Sequence, residues 1–254
     1  MHDTERPLSE EVRRRARGKH LLLLLDFDGT LVEFQADPQA VQLPDSRRAI
    51  LRQLQPRATI GIVSGRRLED VRARCALDGI IVAGLHGLEI EGLGERYVHP
   101  DLDAAAGDIA QVTAKLREAA AGLRGVFVEN KGASVVLHFR EADTDGQRAG
   151  VERFADVVAP FVENGRLRVM RGSYVLELLP NIDWNKGDAV AWIVDRVKAR
   201  HGDAFVVYIG DDVTDQDAFA AVEASGLPIA ASDRVSASTR LDGPVGVERF
   251  LAAL

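Results

Sequence analysis

Asp26 and Asp28 stand one residue apart in Asp26-Phe27-Asp28-Gly29-Thr30-Leu31, directly after the run Leu21–Leu25. Two ionised carboxylates this close repel each other, and a hard divalent cation relieves the repulsion. With Mg2+ present, one carboxylate can attack phosphorus and the other can carry a proton. A plain turn rich in Asp and Gly accounts for the same residues without chemistry. A calcium loop does not: counted from Asp26, the sixth position is Leu31 rather than Gly and the twelfth is Asp37 rather than Glu.

Three further stretches carry reactive types. Ser64-Gly65-Arg66 follows the apolar run Thr59–Val63, and a Ser at a strand end and helix start offers an anion its hydroxyl and free backbone N–H groups. It serves equally well as a simple helix cap. Lys186 sits at the start of a helical pattern, where a lone lysine is ordinarily solvated. Asp211, Asp212 and Asp215 follow the run Phe205–Ile209.

Such residues need a scaffold that brings them together. Five leucines without alternation suit a strand covered on both faces, in the middle of a parallel sheet. The run is too short for a membrane span. Open α/β sheets bind ligands beyond the carboxyl ends of their strands, which is where Asp26 and Asp28 fall. Strands are expected at Leu21–Leu25, Thr59–Val63, Ile80–Ala83, Phe205–Ile209 and Leu227–Ala230. Helices are expected after Pro44, around Leu68–Val71, from Asn185 and over Val245–Leu254.

From about Asp101 the pattern changes. Ile109, Val112, Leu116, Ala120 and Leu123 recur at helical spacing. Strands follow at Val126–Glu129 and Ser134–Phe139, then a helix near Gly150–Val162 and strands at Leu167–Met170 and Tyr174–Leu179. Helix-strand-strand-helix-strand-strand, between two halves of a parallel-sheet domain, reads as an inserted α+β cap. The expected fold class is α/β: a Rossmann-like parallel core with helices on both faces and this cap. The expected division is core 1–100, cap 101–180 and core 181–254, with hinges near 99–102 and 179–183.

The chain has 254 residues, 46% hydrophobic and 28% charged, with net charge -7. The acidic balance, with a pI near 5.4, gives no sign of a nucleic-acid partner. One cysteine, Cys75, excludes an internal disulfide and fits a reducing compartment. Arg13-Arg14-Arg15-Ala16-Arg17 before the leucines imitates a signal peptide, but only five apolar residues follow and no small-residue cleavage site does. The expectation is a cytoplasmic monomer with a polar N-terminal arm, no membrane and no nucleic acid.

Asp26-Phe27-Asp28-Gly29-Thr30-Leu31 resembles the first motif of the haloacid-dehalogenase-like phosphatases. The resemblance implies Asp26 as nucleophile, Asp28 as general acid/base, Ser64 as a ligand of the transferring phosphoryl group, and Mg2+ as cofactor. Gly65 and Arg66 join Ser64 in binding the substrate. For the metal we expect the Asp26 side chain, the Asp28 backbone carbonyl and the Asp211 side chain as ligands. Asp215 holds a metal-bound water or orients Lys186, and Asp212 caps the next helix. Lys186 offsets charge in the transition state.

Two further stretches resemble the trehalose-6-phosphate phosphatase family. These are Gly84-Leu85-His86-Gly87-Leu88-Glu89 and Val128-Glu129-Asn130-Lys131-Gly132 through Arg140. Gly210-Asp211-Asp212-Val213-Thr214-Asp215 and Leu176–Pro180 followed by Trp184-Asn185-Lys186-Gly187 fit as well. The resemblance implies a sugar-phosphate substrate whose hydroxyls meet Glu129, Lys131 and Glu177. His138 and Arg140 brace the cap, and His86 is structural. Gln216 stands where the family usually has Glu, and Leu179 where some members have a basic residue. Both leave open which sugar is read. Glucosylglycerol phosphate, sucrose 6-phosphate, an antibiotic-pathway pseudo-disaccharide phosphate, a mutase and a non-catalytic sugar-phosphate-binding regulator remain alternatives.

Overall fold

The computed structural model describes residues 5–35 and 40–254; Asp37, counted above against a calcium loop, lies outside them. The order begins with α1 (Glu5–Arg15), β1 (His20–Leu25), α2 (Asp45–Leu54), β2 (Ala58–Val63), α3 (Leu68–Cys75), β3 (Ile81–Gly84), β4 (Glu89–Gly92) and β5 (Glu95–Val98). It continues with α4 (Ala106–Ala120), β6 (Phe127–Asn130), β7 (Val135–His138), α5 (Thr144–Glu163), β8 (Leu167–Gly172) and β9 (Val175–Pro180). It closes with α6 (Lys186–His201), β10 (Ala204–Gly210), α7 (Gln216–Glu223), β11 (Gly226–Ala230), β12 (Thr239–Arg240) and α8 (Gly243–Ala253). Two compact units result: Met1–Val98 with Trp184–Leu254, and His99–Asp183.

The first unit is an eight-stranded sheet in the order β12-β11-β10-β1-β2-β3-β4-β5. The pairings from β12 to β3 are parallel, and β4 and β5 add an antiparallel margin. The five leucines explain why β1 lies inside. Leu23 and Leu25 pack with Leu51 of α2, Val71 of α3 and Phe250 of α8. Leu22 and Leu24 face the other way, against Val190, Ile193 and Val197 of α6 and Phe219 of α7. Leu22 to Leu25 have no exposed surface, and burying each side chain contributes roughly 2 kcal/mol. The strand order reverses at β1, between β10 and β2, so the crevice of this sheet opens beyond Leu25.

The N-terminal arm is helix α1, and its Leu8 and Val12 are buried in the core that contains α8. Its arginines do more than face water: Arg13 donates to Ala253 O at 2.7 Å and Arg15 to Gly226 O at 3.0 Å. Among the described residues, no helix is long and apolar enough to cross a membrane.

At the opposite end of β1, His20 stacks on His201 with ring centroids 3.9 Å apart, and its Nε2 lies 2.8 Å from Thr59 Oγ1. Burial and then the neighbouring His201 hold His20 below the usual imidazole range. The unfolded chain therefore binds a proton here at a higher pH than the folded chain does. The stability this group contributes is complete above about pH 6.5 and is lost as pH falls towards the folded value. Wild type should lose more Tm than His20→Gln between pH 7 and 5; equal losses in paired thermal scans would contradict this.

In the second unit, strands in the order β6-β7-β9-β8 form an antiparallel sheet. Val135, Leu137, Leu176 and Leu178 turn inward against Ile109, Val112 and Leu116 of α4 and Phe154 and Val158 of α5. Strand alternation then sends Glu129, Val136, His138 and Glu177 to the face away from the helices. The register places Val136 opposite both Glu129 and Glu177.

Candidate active site

The carboxyl edge of the first unit's sheet gathers the acidic residues. Asp26 follows β1 and Asp211 follows β10, the strand paired with it. Gly29 turns the chain with φ +83, a conformation that suits glycine, and a Cβ there would collide with the Asp211 carboxylate. The turn thus needs glycine both for its backbone and for the close approach of Asp211.

Lys186 is the cation of this edge. Asn185 caps α6 by accepting from Gly187 N at 2.7 Å and Asp188 N at 3.2 Å, and Asp188 accepts from Asn185 N at 2.9 Å. The cap fixes the helix start, and Lys186, in the first turn, is buried with Nζ 2.8 Å from Asp26 Oδ1 and 2.6 Å from Asp215 Oδ1. An ordinary solvated lysine is thereby ruled out.

Asp215 is fully engaged. Its Oδ1 also accepts from Tyr208 OH at 2.7 Å, and its Oδ2 accepts from Asp211 N at 2.9 Å and Asp212 N at 3.0 Å. Asp26, Asp211 and Asp215 each offer an oxygen within 4.8 Å of the others, a cluster of hard donors able to hold a metal ion. With four protein donors on its two oxygens, Asp215 is better suited to orient Lys186 than to bind a metal directly.

The electrostatics follow from burial. Burial pushes Asp26 well above the usual carboxylate range; Lys186 pulls it down, while Asp215 and Asp211 add to the rise. Burial and then Asp215 push Asp211 up to about 6, against the pull of Arg234. For Asp215, burial is outweighed by Lys186 and the hydrogen bonds, which hold it below the usual range. Burial alone would lower Lys186, but Asp215 and Asp26 raise it. The lysine is a fixed cation, and burial leaves the ionised forms of Asp26 and Asp211 the least favoured at this edge.

Asp28 and the Ser64 loop stand beside this cluster. Arg66 grips Asp28 with a fork: Nε donates to Oδ2 at 2.6 Å and Nη2 to Oδ1 at 2.7 Å. Its Nη1 donates to Asp70 at 3.2 Å, and Asp70 in turn accepts from Arg74 at 2.8 Å. The sequence reading placed Arg66 on the substrate; the structure places its guanidinium on Asp28. Ser64 follows β2 and is buried, its Oγ accepting from Arg66 N at 3.2 Å. His86 N donates to Ser64 O at 2.9 Å and Leu85 N to Arg66 O at 2.7 Å, clamping the loop from behind. Leu85 and His86 take left-handed φ values of 51 and 58 to do so. A Cβ on Gly65 would meet the His86 ring at 2.8 Å. Tyr208, His86 and Arg234 were not singled out as site residues by sequence reasoning; the repeated left-handed residues before Gly87 leave no mark in composition.

Glu129, Lys131 and Glu177 lie in the second unit, where Lys131 pairs with Glu177 and Glu129 pairs with His138. Glu177 is buried, accepting from Ser134 Oγ at 2.6 Å and from Lys131 Nζ at 3.4 Å. His138 Nε2 lies 2.8 Å from Glu129 Oε2, and its ring stacks on Phe127 with centroids 4.3 Å apart. Arg140 Nη2 donates to Ser173 O at 3.2 Å and its guanidinium lies over Tyr174, consistent with bracing.

Cys75 lies buried in α3 behind the loop, its thiol pushed up to about 12, chiefly by burial. That disfavours the thiolate and any nucleophilic role.

A mostly parallel sheet with Asp-x-Asp at a central strand end, a buried lysine at a helix start and an acidic group after the neighbouring strand makes an α/β fold that is also seen in a haloacid dehalogenase-like hydrolase of Bacteroides thetaiotaomicron, with a TM-score of 0.62 at 15% identity over 92% of this chain and 98% of that one. The C-terminal domain of Candida albicans trehalose-6-phosphate phosphatase has the same fold, with a TM-score of 0.78 at 22% identity over 96% of this chain and 94% of that one. The family model for trehalose-phosphatases matches residues 24–243, and the chain belongs to that family. The trehalose-phosphate phosphatase of Mycolicibacterium paratuberculosis is 36% identical over 93% of this chain. An uncharacterized glycosyl hydrolase of Mycobacterium tuberculosis is 36% identical over 96% of it. The chain spans 62% of the former and 19% of the latter.

Proposed function

We propose that the chain is a Mg2+-dependent phosphatase that hydrolyses trehalose 6-phosphate to trehalose and phosphate through an aspartyl phosphate. The observation that carries this reading is the buried Lys186 ammonium bridging Asp26 and Asp215 at the sheet's switch point. Family membership supports the substrate class.

The donor set fits a magnesium ion, which takes oxygen ligands and tolerates only a few carboxylates among waters. The Asp26 and Asp211 side chains and the Asp28 backbone carbonyl would hold it. When bound it would offset the repulsion between the phosphate dianion and the attacking carboxylate, and favour Asp26 in its ionised form.

The remaining work falls to the protein. An Asp26 oxygen forms a bond to phosphorus as the ester P–O bond breaks. Asp28, protonated and released at one oxygen from the Arg66 fork, gives its proton to the leaving sugar oxygen. Water then attacks phosphorus and Asp28 takes its proton, freeing Asp26 and phosphate. Lys186 holds Asp26 in line and Ser64 binds the phosphoryl oxygens.

Glu129, Lys131 and Glu177 are assigned to the sugar hydroxyls. Glu177→Gln should raise KM for trehalose 6-phosphate about tenfold, because one buried acceptor is then mispaired with its hydroxyl. Turnover of p-nitrophenyl phosphate, which has no sugar, should stay within about twofold. An equal loss on both substrates would assign Glu177 to folding instead.

The function is tested by Mg2+-dependent phosphate release from trehalose 6-phosphate beside sucrose 6-phosphate, glucosylglycerol phosphate and glucose 6-phosphate. Preference for the trehalose ester is the expected result. Preference for another ester would keep the mechanism and overturn the sugar assignment.

A further inference from the structure

Lys186 serves Asp26 and Asp215 but no hydrogen bond links it to Asp211. Asp211, only 1% exposed at its side chain, has a different cation: Arg234 Nη2 donates to its Oδ2. Arg234 comes from the loop after β11, and that loop is tied to Asp211 itself. Ser232 Oγ donates to Asp211 O at 2.5 Å, and Arg234 N donates to Ser232 Oγ at 3.1 Å. The guanidinium carbon also lies 4.9 Å from the centre of the half-exposed Phe34 ring.

The two cations differ in their freedom. Lys186 is 3% exposed and locked in a capped helix, whereas Arg234 is 34% exposed on a loop. An ionised buried carboxylate without a partner is costly, so the Asp211 carboxylate is stabilised by a cation beside it. Two cations at one carboxylate oxygen repel each other, and Arg234, exposed on its loop, is the cation at this edge that is free to leave. Phe34 gives the displaced guanidinium a face to rest on, since arginine stacks on aromatic rings.

We propose that Arg234 is the resident counter-cation of Asp211, and that a divalent cation binds there by exchange with it. The proposal rests on the metal reading given above. Arg234 is a positioning residue in this scheme: it keeps the metal-free edge neutral enough to stay folded and sets how tightly the metal binds. The acidic edge is then never left with Asp211 bare.

Calorimetric titration of the intact protein with MgCl2 tests this directly. Arg234→Gln, which removes the charge and keeps most of the bulk, should bind Mg2+ about fivefold more tightly than wild type, as expected for losing a half-exposed ion pair that otherwise competes. Thermal scans give a second readout. The metal-free Tm of Arg234→Gln should drop below wild type, and the Tm values at saturating Mg2+ should coincide. Arg234→Lys retains the charge and should bind Mg2+ within about twofold of wild type. Equal or weaker Mg2+ binding by Arg234→Gln overturns the exchange while leaving the metal site standing. Absence of binding in wild type and variants alike overturns the metal reading, and this proposal with it.

Discussion

Asp26→Asn should lower turnover by about 10⁴-fold or more while leaving the fold intact. Loss of a nucleophile that acts as part of a unit removes nearly all of the catalysis, because the remaining groups have nothing to act on. The structural side of the prediction is just as specific. Asp26 is buried beside Asp211 and Asp215, and their charges work against its ionised form. An amide keeps an acceptor for Lys186 Nζ and removes one of the repelling charges. The metal-free Tm of Asp26→Asn should therefore match or exceed that of wild type. Phosphate release and thermal scans on one preparation check both halves. Near-normal turnover would sink the nucleophile assignment, and a collapsed Tm would show that Asp26 is structural.

Lys186→Met should do the opposite to stability. It strands Asp26 and Asp215 in the core with one fewer partner each, and both are buried. Breaking a buried charge pair by removing one partner costs about 3–5 kcal/mol. Asp215 keeps Tyr208 and two backbone donors, so the larger loss falls on Asp26. Turnover should fall by about 10²–10³-fold from lost electrostatic stabilisation. Urea unfolding and steady-state kinetics measure the two effects separately. The contrast is diagnostic: Asp26→Asn kills activity and spares the fold, and Lys186→Met damages both. A lysine that merely decorated the helix would leave both unchanged.

Much of this is legible in the amino-acid sequence. Five leucines without alternation suit a doubly covered central strand, and β1 is one: Leu23 and Leu25 lie in one core and Leu22 and Leu24 in the other. From one strand end it followed that residues after other parallel strands share its edge, and Asp26, Lys186 and Asp215 do meet there. The α/β class and the trehalose-phosphatase family were readable from the same motifs.

Other features left no comparable mark. Leu8 and Val12 are two apolar residues in a mostly charged stretch, and their burial depends on α8, far along the chain. Helix α5 begins at Thr144, earlier than the apolar spacing suggests, because its first turn is polar and is fixed by Asp143 accepting from Gly146 N. Strand β12 has two residues, too few for any periodicity. The commitment of Arg66 to Asp28, of Tyr208 to Asp215 and of Arg234 to Asp211 depends on side-chain reach across the sheet edge. Sequence spacing identifies which residue types are available at an edge; geometry decides which carboxylate each one serves.

The nucleophile itself can be observed. Rapid-quench mixing with phosphate-labelled trehalose 6-phosphate, followed by peptide mapping, shows where phosphorus resides in mid-reaction. The expected result is a hydroxylamine-labile label on the peptide containing Asp26, formed and lost at rates consistent with turnover and missing in Asp26→Asn. Label on a different residue, or steady turnover with no labelled protein at any time, would contradict the mechanism.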